Sequence, residues 1–242
     1  MEQTEKLLKD YSDLEKGSYL GAIASIATAD RAASEEELEY IQALADSADL
    51  SAEQKEAVER AATELSGEEL QACLDNLKSS DLRFSLVTDL IAFAESDQNY
   101  TPEEKANIEK IARYLNINKE QYSLLNQFVQ KTAETKAEPE QMQEQSFLGS
   151  LGLEDKFKNS GINFGSLTKG LLGIAGPMIL GSLLSRGMRG RGGGGGLGGM
   201  LTGGLGGMFG GGGGLGSLTS MLNGGRGLGS AGGLLSRITR GF

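Results

Sequence analysis

The 242-residue sequence has no histidine, no tryptophan, one cysteine and three prolines. Without histidine, the chain cannot build a Ser-His-Asp or Cys-His catalytic arrangement, nor a zinc site with imidazole ligands. Its single cysteine, Cys73, cannot form an internal disulfide, so nothing in the sequence indicates an oxidising compartment. The first six residues are polar, which argues against a secretory signal, and we expect a cytoplasmic protein.

Acidic residues are missing from the last third of the chain. All 33 of them lie before Gly161, and residues 1–160 carry a net charge of −17. Residues 161–242 carry seven basic side chains and 32 of the 37 glycines. The chain therefore divides into an acidic body and a cationic, glycine-rich tail. Because phosphates repel an acidic body, we expect no nucleic-acid partner.

The tail is predicted to be largely disordered. Glycine loses more backbone entropy on ordering than other residues and offers no side chain to bury. Two near-copies flank the most glycine-rich stretch and are interpreted as short amphipathic segments: Leu-Leu-Ser-Arg-Gly-Met-Arg-Gly at 183–190 and Leu-Leu-Ser-Arg-Ile-Thr-Arg-Gly at 234–241. We expect residues 161–242 to mediate any contact with a membrane surface or a protein partner, including self-association.

Residues 170–185 form an uncharged run between Lys169 and Arg186. The run is shorter than the roughly 20 apolar residues of a spanning helix, and Pro177 interrupts it. It could lie in a membrane interface with its cationic flanks facing anionic lipid. Alternatively, it could form a short helix that docks on the body or on another copy of the chain.

The body is predicted to be helical, because apolar residues recur at helical spacing and capping boxes punctuate them. These boxes begin at Ser34, Ser51, Ser66 and Thr101. The predicted helices cover roughly residues 2–15, 18–29, 35–47, 52–64, 67–78, 81–96, 102–115 and 119–135. The fold class is all-α, a compact bundle of about seven to eight helices. Cys73 lies on an apolar helix face and is interpreted as a buried small hydrophobe.

The predicted organisation has four parts. A helical domain covers residues 1–135 and a linker covers 136–160. A short apolar segment (161–186) and the low-complexity cationic tail (187–242) follow.

An internal duplication is the most informative feature of the body. When the chain is shifted by 67 residues, residues 24–54 align with 91–121 without a gap, and eight of 31 positions are identical. Both copies read as an apolar helix, an Asp, a Ser or Thr cap and then Glu. The sequence therefore predicts a pseudo-two-fold helical domain.

The duplication yields four candidate metal ligands: Asp30 and Glu37 in the first copy, and Asp97 and Glu104 in the second. In each copy the two acids are seven residues apart across a helix–loop–helix corner, and converging carboxylates repel one another unless a cation binds. A carboxylate set without histidine or cysteine suits a hard divalent cation such as Ca²⁺, Mg²⁺ or Mn²⁺. The alternative is that Glu37 and Glu104 only complete capping boxes, while the aspartates cap backbone amides.

The two corners resemble those of the TerB-like domain of tellurite-resistance proteins. The resemblance rests on GAIASIATADRAASEEELEYIQALA (21–45) and DLIAFAESDQNYTPEEKANIEKIARYL (89–115) and covers roughly residues 15–133. It implies a compact, pseudo-symmetric helical fold, a divalent cation held by acidic residues, and a role in bacterial stress responses and membrane-associated complexes. The four acids named above match the acidic pattern of the family. Arg31 and Gln98 stand where the family often has glycine.

The sequence is compatible with three functions. The first is a non-enzymatic, cation-binding stress-response module that its tail tethers to a membrane or an assembly, which places it at the inner membrane as a peripheral protein. The second is a structural adaptor whose carboxylates only cap helices and whose tail drives self-association. The third, a hydrolase with two metals on the four acids, is disfavoured because no nucleophile with its base, phosphate loop or substrate pocket is evident.

Overall fold

The computed structural model of the chain describes residues 8–27, 35–63, 67–96, 101–135, 139–142 and 144–170. These residues form eleven helices, and within the same ranges there is no strand. The predicted all-α bundle is therefore confirmed. Residues 171–242, which include most of the predicted disordered tail, the rest of the uncharged run and both Leu-Leu-Ser-Arg segments, lie outside the described residues.

Seven helices of 11 to 16 residues form most of the body. They are α1 (Asp13–Ala27), α2 (Glu35–Ser47), α3 (Ala52–Thr63), α4 (Gly67–Leu77), α5 (Leu82–Ser96), α6 (Pro102–Tyr114) and α7 (Lys119–Glu134). Four shorter helices follow: α8 (Pro139–Met142), α9 (Gln145–Ser150), α10 (Glu154–Ser160) and α11 (Phe164–Gly170).

The first two predicted helices, 2–15 and 18–29, differ from the structure. Residues 8–10 form a turn, and one continuous helix then starts at Asp13. Ser12 sets this start, because its N–H donates to Glu15 Oε2 (2.9 Å) and its Oγ accepts from the Glu15 N–H (3.3 Å). This reciprocal pair is a capping box, which places the helix boundary before Gly17 instead of after it.

The helices repeat with the predicted offset of 67 residues. Helix α2 spans residues 35–47 and α6 spans 102–114, so both boundaries match after the shift. The turns that follow also match, since Asp49 (φ 56°) and Asn116 (φ 58°) both adopt the left-handed conformation. Next to them, the Leu50 N–H donates to Ala45 O (3.1 Å) and the Ile117 N–H donates to Ala112 O (2.9 Å). We call α1–α4 the first repeat and α5–α7 with α11 the second.

Helices α1 and α5 lie at the centre of the two repeats. Helix α1 packs against α2, α3, α4 and α5, while α5 packs against α6, α7 and α11 as well as α1 and α4. Both central helices carry long apolar runs that are buried in one continuous core. The repeats therefore share a single hydrophobic core.

The fourth helix of each repeat meets its central helix at an equivalent serine. Ser18 of α1 accepts a hydrogen bond from Asn76 Nδ2 of α4 (3.0 Å). Ser85 of α5, which lies 67 residues later, donates to Leu167 O of α11 (3.0 Å). A Cβ atom at Gly170 would lie 2.2 Å from Ser85 Oγ, so glycine is needed for α11 to approach α5 this closely. Helix α11 therefore occupies in the second repeat the place that α4 has in the first.

An aromatic cluster attaches the C-terminal helices to α7. The ring of Phe128 makes edge-on contacts with Phe147, Phe157 and Phe164, at centroid distances of 6.5, 5.8 and 5.8 Å. All four rings are buried. In the first repeat Ala61 stands at the position equivalent to Phe128, so only the second repeat has a large anchor for such a cluster.

Residues of the N-terminal turn also hold α11. The Tyr11 hydroxyl donates to Ser166 O (3.1 Å), and Lys169 Nζ lies 2.6 Å from Asp10 Oδ2. Burial raises the pKa of Tyr11 to about 12, so the hydroxyl keeps the proton that it donates across the neutral pH range. The two ends of the described body are thus joined.

The structure differs from the predicted linker over residues 136–160. Helices α9 and α10 lie in this range, and Phe147, Leu148, Leu151, Leu153 and Phe157 belong to the same core as α1 and α5. Residues 162–167 of the predicted apolar segment also contribute Ile162, Phe164 and Leu167 to that core. The packed body therefore extends to Gly170, because the apolar faces of these short helices bury against α5 and α7.

We expect Phe164→Ala in the full chain to lower the free energy of unfolding by about 3–5 kcal/mol, because it leaves a cavity in the aromatic cluster. Urea denaturation followed by circular dichroism measures this change. The control is Leu14→Ala, which truncates a side chain that is 51% exposed and should change the free energy by less than about 0.5 kcal/mol. If both variants unfold like the parent, residues 144–170 act as a linker after all.

Candidate functional site

The two predicted corners follow the central helices. The first lies between the end of α1 at Ala27 and the start of α2 at Glu35, and the second lies between Ser96 of α5 and Pro102 of α6. Asp30 and Asp97 lie outside the described residues. Glu37 belongs to the first turn of α2, but its side chain also lies outside the described part. Glu104 is the one candidate ligand whose side chain is described.

Glu104 occupies the N3 position of α6, where it completes the predicted capping box with Thr101. The Glu104 N–H donates to Thr101 Oγ1 (3.2 Å). In return, Glu104 Oε2 accepts from the Thr101 N–H (2.8 Å) and from its hydroxyl (3.0 Å). Both returning bonds end on Oε2, so Oε1 takes part in neither. Capping and cation binding therefore need not compete for the same oxygen of this carboxylate.

The described residues bring no metal-binding cluster together. Among them there is no group of three or more histidine, cysteine, aspartate or glutamate side chains that could hold a metal ion. Three of the four predicted ligands contribute no described side chain, so the convergence of the corners stays a prediction.

Sequence reasoning missed a buried acid that joins the two repeats. Asp89 of α5 is 1% exposed, and Tyr19 of α1, fully buried, donates a hydrogen bond from its hydroxyl to Asp89 Oδ2. The signal was present in the sequence, since Asp89 interrupts the apolar run Leu86-Val87-Thr88-Asp89-Leu90-Ile91. A buried carboxyl in such a run requires a hydrogen-bonding partner inside the core. The described geometry gives the pair a structural role at the contact of α1 with α5.

The environment of Cys73 disfavours a reactive thiol, as its position on an apolar helix face predicts. Its side chain packs against the core, and a Cβ atom at Gly21 would lie 2.9 Å from its Sγ. Burial of the thiol, and secondarily the charge of Glu69, raises the pKa of Cys73 to about 12. Because the thiolate is the reactive form, this thiol is not a nucleophile at neutral pH.

The model of the family described as tellurite resistance protein TerB matches residues 2–127, which is more than half of the chain. The chain belongs to the TerB family. This finding confirms the predicted resemblance and identifies the helical body as a tellurite-resistance-type module. No curated protein and no solved structure matches the chain in the corresponding comparisons.

The TerB match ends inside α7, whereas the packed core continues to Leu167. The helices beyond the match supply the aromatic cluster and α11, which complete the second repeat. Among the described helices, none has the length and apolar character needed to cross a bilayer.

We expect Tyr19→Phe to destabilise the TerB body by about 1–3 kcal/mol, because it removes a donor to a buried carboxyl group. The matched control is Tyr11→Phe, which also deletes one hydroxyl but breaks a bond to the backbone of α11 at a half-buried position. Its cost should be about 1 kcal/mol or less. Equal costs in urea denaturation would contradict a special role for the contact between the repeats.

Proposed function

We propose that this TerB-family chain is a non-enzymatic, divalent-cation-binding module of a bacterial stress response. The ligands are Asp30, Glu37, Asp97 and Glu104, and the cation is Ca²⁺, Mg²⁺ or Mn²⁺. The tail tethers the module to a membrane surface or an assembly, so that the protein is cytoplasmic and peripheral at the inner membrane.

The hydrogen bonding of the Glu104 carboxylate is the observation that best supports cation binding. Its Oε2 accepts both hydrogen bonds from Thr101, which fixes the side chain at the mouth of the second corner. Oε1 is not used by this cap, and a hard cation prefers such an oxygen ligand. Because α2 and α6 start at equivalent positions, Glu37 stands at the same place in the first repeat.

The two corners are not expected to bind equally well. Arg31 follows Asp30 in the first corner, while the neutral Gln98 follows Asp97 in the second. A guanidinium group next to a ligand opposes cation binding through charge repulsion. The second corner is therefore proposed as the stronger site, and the stoichiometry of binding distinguishes one shared cation from two separate ones.

A binding role, not a catalytic one, fits the residues available. The chain has no histidine to act as a general base, and its one thiol has a pKa raised to about 12. Catalysis by the carboxylates and a metal would still require a nucleophile, which a bound water could supply. Turnover of a phosphoester that disappears with Asp97→Asn would contradict this part of the proposal.

A structural adaptor is the second candidate function. The capping box with Thr101 already accounts for the position of Glu104 without any cation. In this alternative, the carboxylates stabilise helix starts and the tail drives self-association.

Glu104→Gln separates the two functions, because glutamine keeps the cap but removes the charge of the ligand. The chain itself shows that glutamine can cap, since Gln121 at N3 of α7 forms a complete capping box with Asn118. In thermal melts of the full chain, a cation at about 100 times its Kd should stabilise the parent by roughly 2.7 kcal/mol. For a body of this size the melting temperature rises by about 5–10 °C.

We expect Glu104→Gln and Asp97→Asn to lose this shift, while their melting temperatures in chelator stay close to that of the parent. Asp155→Asn is the matched control, because Asp155 is an exposed acid in the first turn of α10, remote in sequence from both corners. It should keep the full shift. If no cation raises the melting temperature of the parent, or if Glu104→Gln keeps the cation-dependent rise, the carboxylates only cap helices. The adaptor function then replaces the proposal.

The tether is proposed from the charge of the tail. Residues 171–242 contain six arginines and no acidic residue, whereas the body is strongly acidic. Each basic residue near an anionic membrane contributes about 1 kcal/mol of binding energy, so the tail should direct the protein to such a surface.

We expect the full chain to co-sediment with vesicles that contain phosphatidylserine, and a chain that ends at Gly170 to stay in the supernatant. Truncation at this point leaves Phe164 and Leu167 in the core, whereas truncation before Gly161 would remove them. Vesicles of phosphatidylcholine alone are the control. Equal sedimentation of both chains, or none at low salt, would exclude a membrane tether and leave an assembly as the partner.

A further inference from the structure

A shallow groove lies between α2 and α3. Its volume is about 230 Å³, enough to receive one or two aliphatic side chains. The floor of the groove is apolar and consists of Leu38, Ile41, Ala45 and Val58. The rim is polar and consists of Gln42, Asp46, Lys55 and Glu59.

Two of the positions that line the groove hold larger side chains in the second repeat. Lys55 and Val58 line it in the first repeat, while Tyr122 and Leu125 stand at the equivalent positions of the second. Tyr122 packs against the core and Leu125 is fully buried, so larger side chains occupy the corresponding places between α6 and α7. Replacement of Lys55 by tyrosine and of Val58 by leucine, the residues of the second repeat, should therefore be compatible with the fold.

The charge around the groove differs in the same way. Residues 35–63, which include α2 and α3, carry nine acidic and two basic side chains, a net charge of −7. The equivalent residues 102–130 carry four of each and are neutral. The cation at the rim, Lys55, is already paired with Asp46 at 2.6 Å. Glu59 has no ion pair among the described residues, so the groove presents an apolar floor with an anionic rim.

We propose that this groove binds residues 234–240 of the chain's own tail, Leu-Leu-Ser-Arg-Ile-Thr-Arg. In a helix, Leu234, Leu235 and Ile238 share one face, with the spacing of an apolar stripe that enters a groove. Arg237 and Arg240 supply the positive charge that the acidic rim lacks. This inference depends neither on cation binding nor on the membrane tether.

The length of the connection permits this docking within one molecule. From Gly170 to Leu234 there are 64 residues, and a glycine-rich chain of that length has a root-mean-square end-to-end distance of about 45 Å. A packed body of this size has a radius of gyration of about 15 Å, so the segment can reach any of its faces. Linkage also raises the effective concentration of the segment, so a weak contact suffices for occupancy.

Paramagnetic broadening in the full chain tests the proposal directly. A nitroxide attached through Gly241→Cys lies just beyond the docking segment, and Cys73→Ala removes the free, partly buried native thiol so that the chain carries a single label. We expect the amide signals of residues 38–59 to lose intensity. The amide signals of residues 105–126, which are their equivalents in the second repeat, are the internal control and should keep theirs.

Two pairs of variants show whether the contact is specific. Arg237→Glu with Arg240→Glu should abolish the broadening, whereas Arg186→Glu with Arg189→Glu, the same charge change in the first Leu-Leu-Ser-Arg segment, should leave it. Lys55→Tyr with Val58→Leu, which gives the groove the residues of the second repeat, should abolish it. Broadening that survives the groove variant, or that both arginine pairs weaken equally, would overturn the proposal in favour of non-specific attraction.

A mixing experiment distinguishes docking within one chain from docking between chains. A spin-labelled chain without ¹⁵N is added to an unlabelled ¹⁵N chain, and docking within one chain predicts no broadening. Broadening in this mixture would show that the segment binds a second copy, and would overturn the assignment to the chain's own groove. No broadening in either sample would mean that the groove does not bind residues 234–240.

Discussion

The fold depends on two helices, α1 and α5, that are apolar on nearly every side. A helix of this kind is stable only where other helices cover all of its faces. Helix α1 obtains its cover from α2, α3, α4 and α5, and α5 obtains the equivalent cover from α6, α7, α11 and α1. The need to cover α5 explains why the chain returns to the core after α7, beyond the end of the TerB match.

The register of the duplication could be read from the sequence with good accuracy. The predicted helix 35–47 matches α2, the predicted helix 102–115 matches α6 to within one residue, and the shift of 67 residues also relates the left-handed turns at Asp49 and Asn116. Residues 136–160 were harder, because no single helix there is long enough to show a periodic pattern. The short helices α9 and α10 in this range pack their phenylalanines on Phe128, as the following α11 does, and that long-range contact leaves no local signal.

Those parts of the candidate site that depend on local geometry could be predicted from the sequence. The capping box of Thr101 with Glu104 follows from residues three apart, and the structure has it as predicted. The contact of Tyr19 with Asp89 joins residues 70 apart, and its position depends on how α1 meets α5. Apolar periodicity locates the faces of both helices, but the pairing of one tyrosine with one carboxyl group depends on tertiary packing, which a single sequence does not encode locally.

The way in which α11 is held has a mechanical consequence. Gly170 is buried against Ser85, and the neighbouring Lys169 is paired with Asp10 of the N-terminal turn. A pull on Gly170 therefore loads two sets of contacts of α11, one with α5 and one with residues 10–11. Tension enters the central helix of the second repeat directly, so force on the tail is carried by the core and not by a loose end.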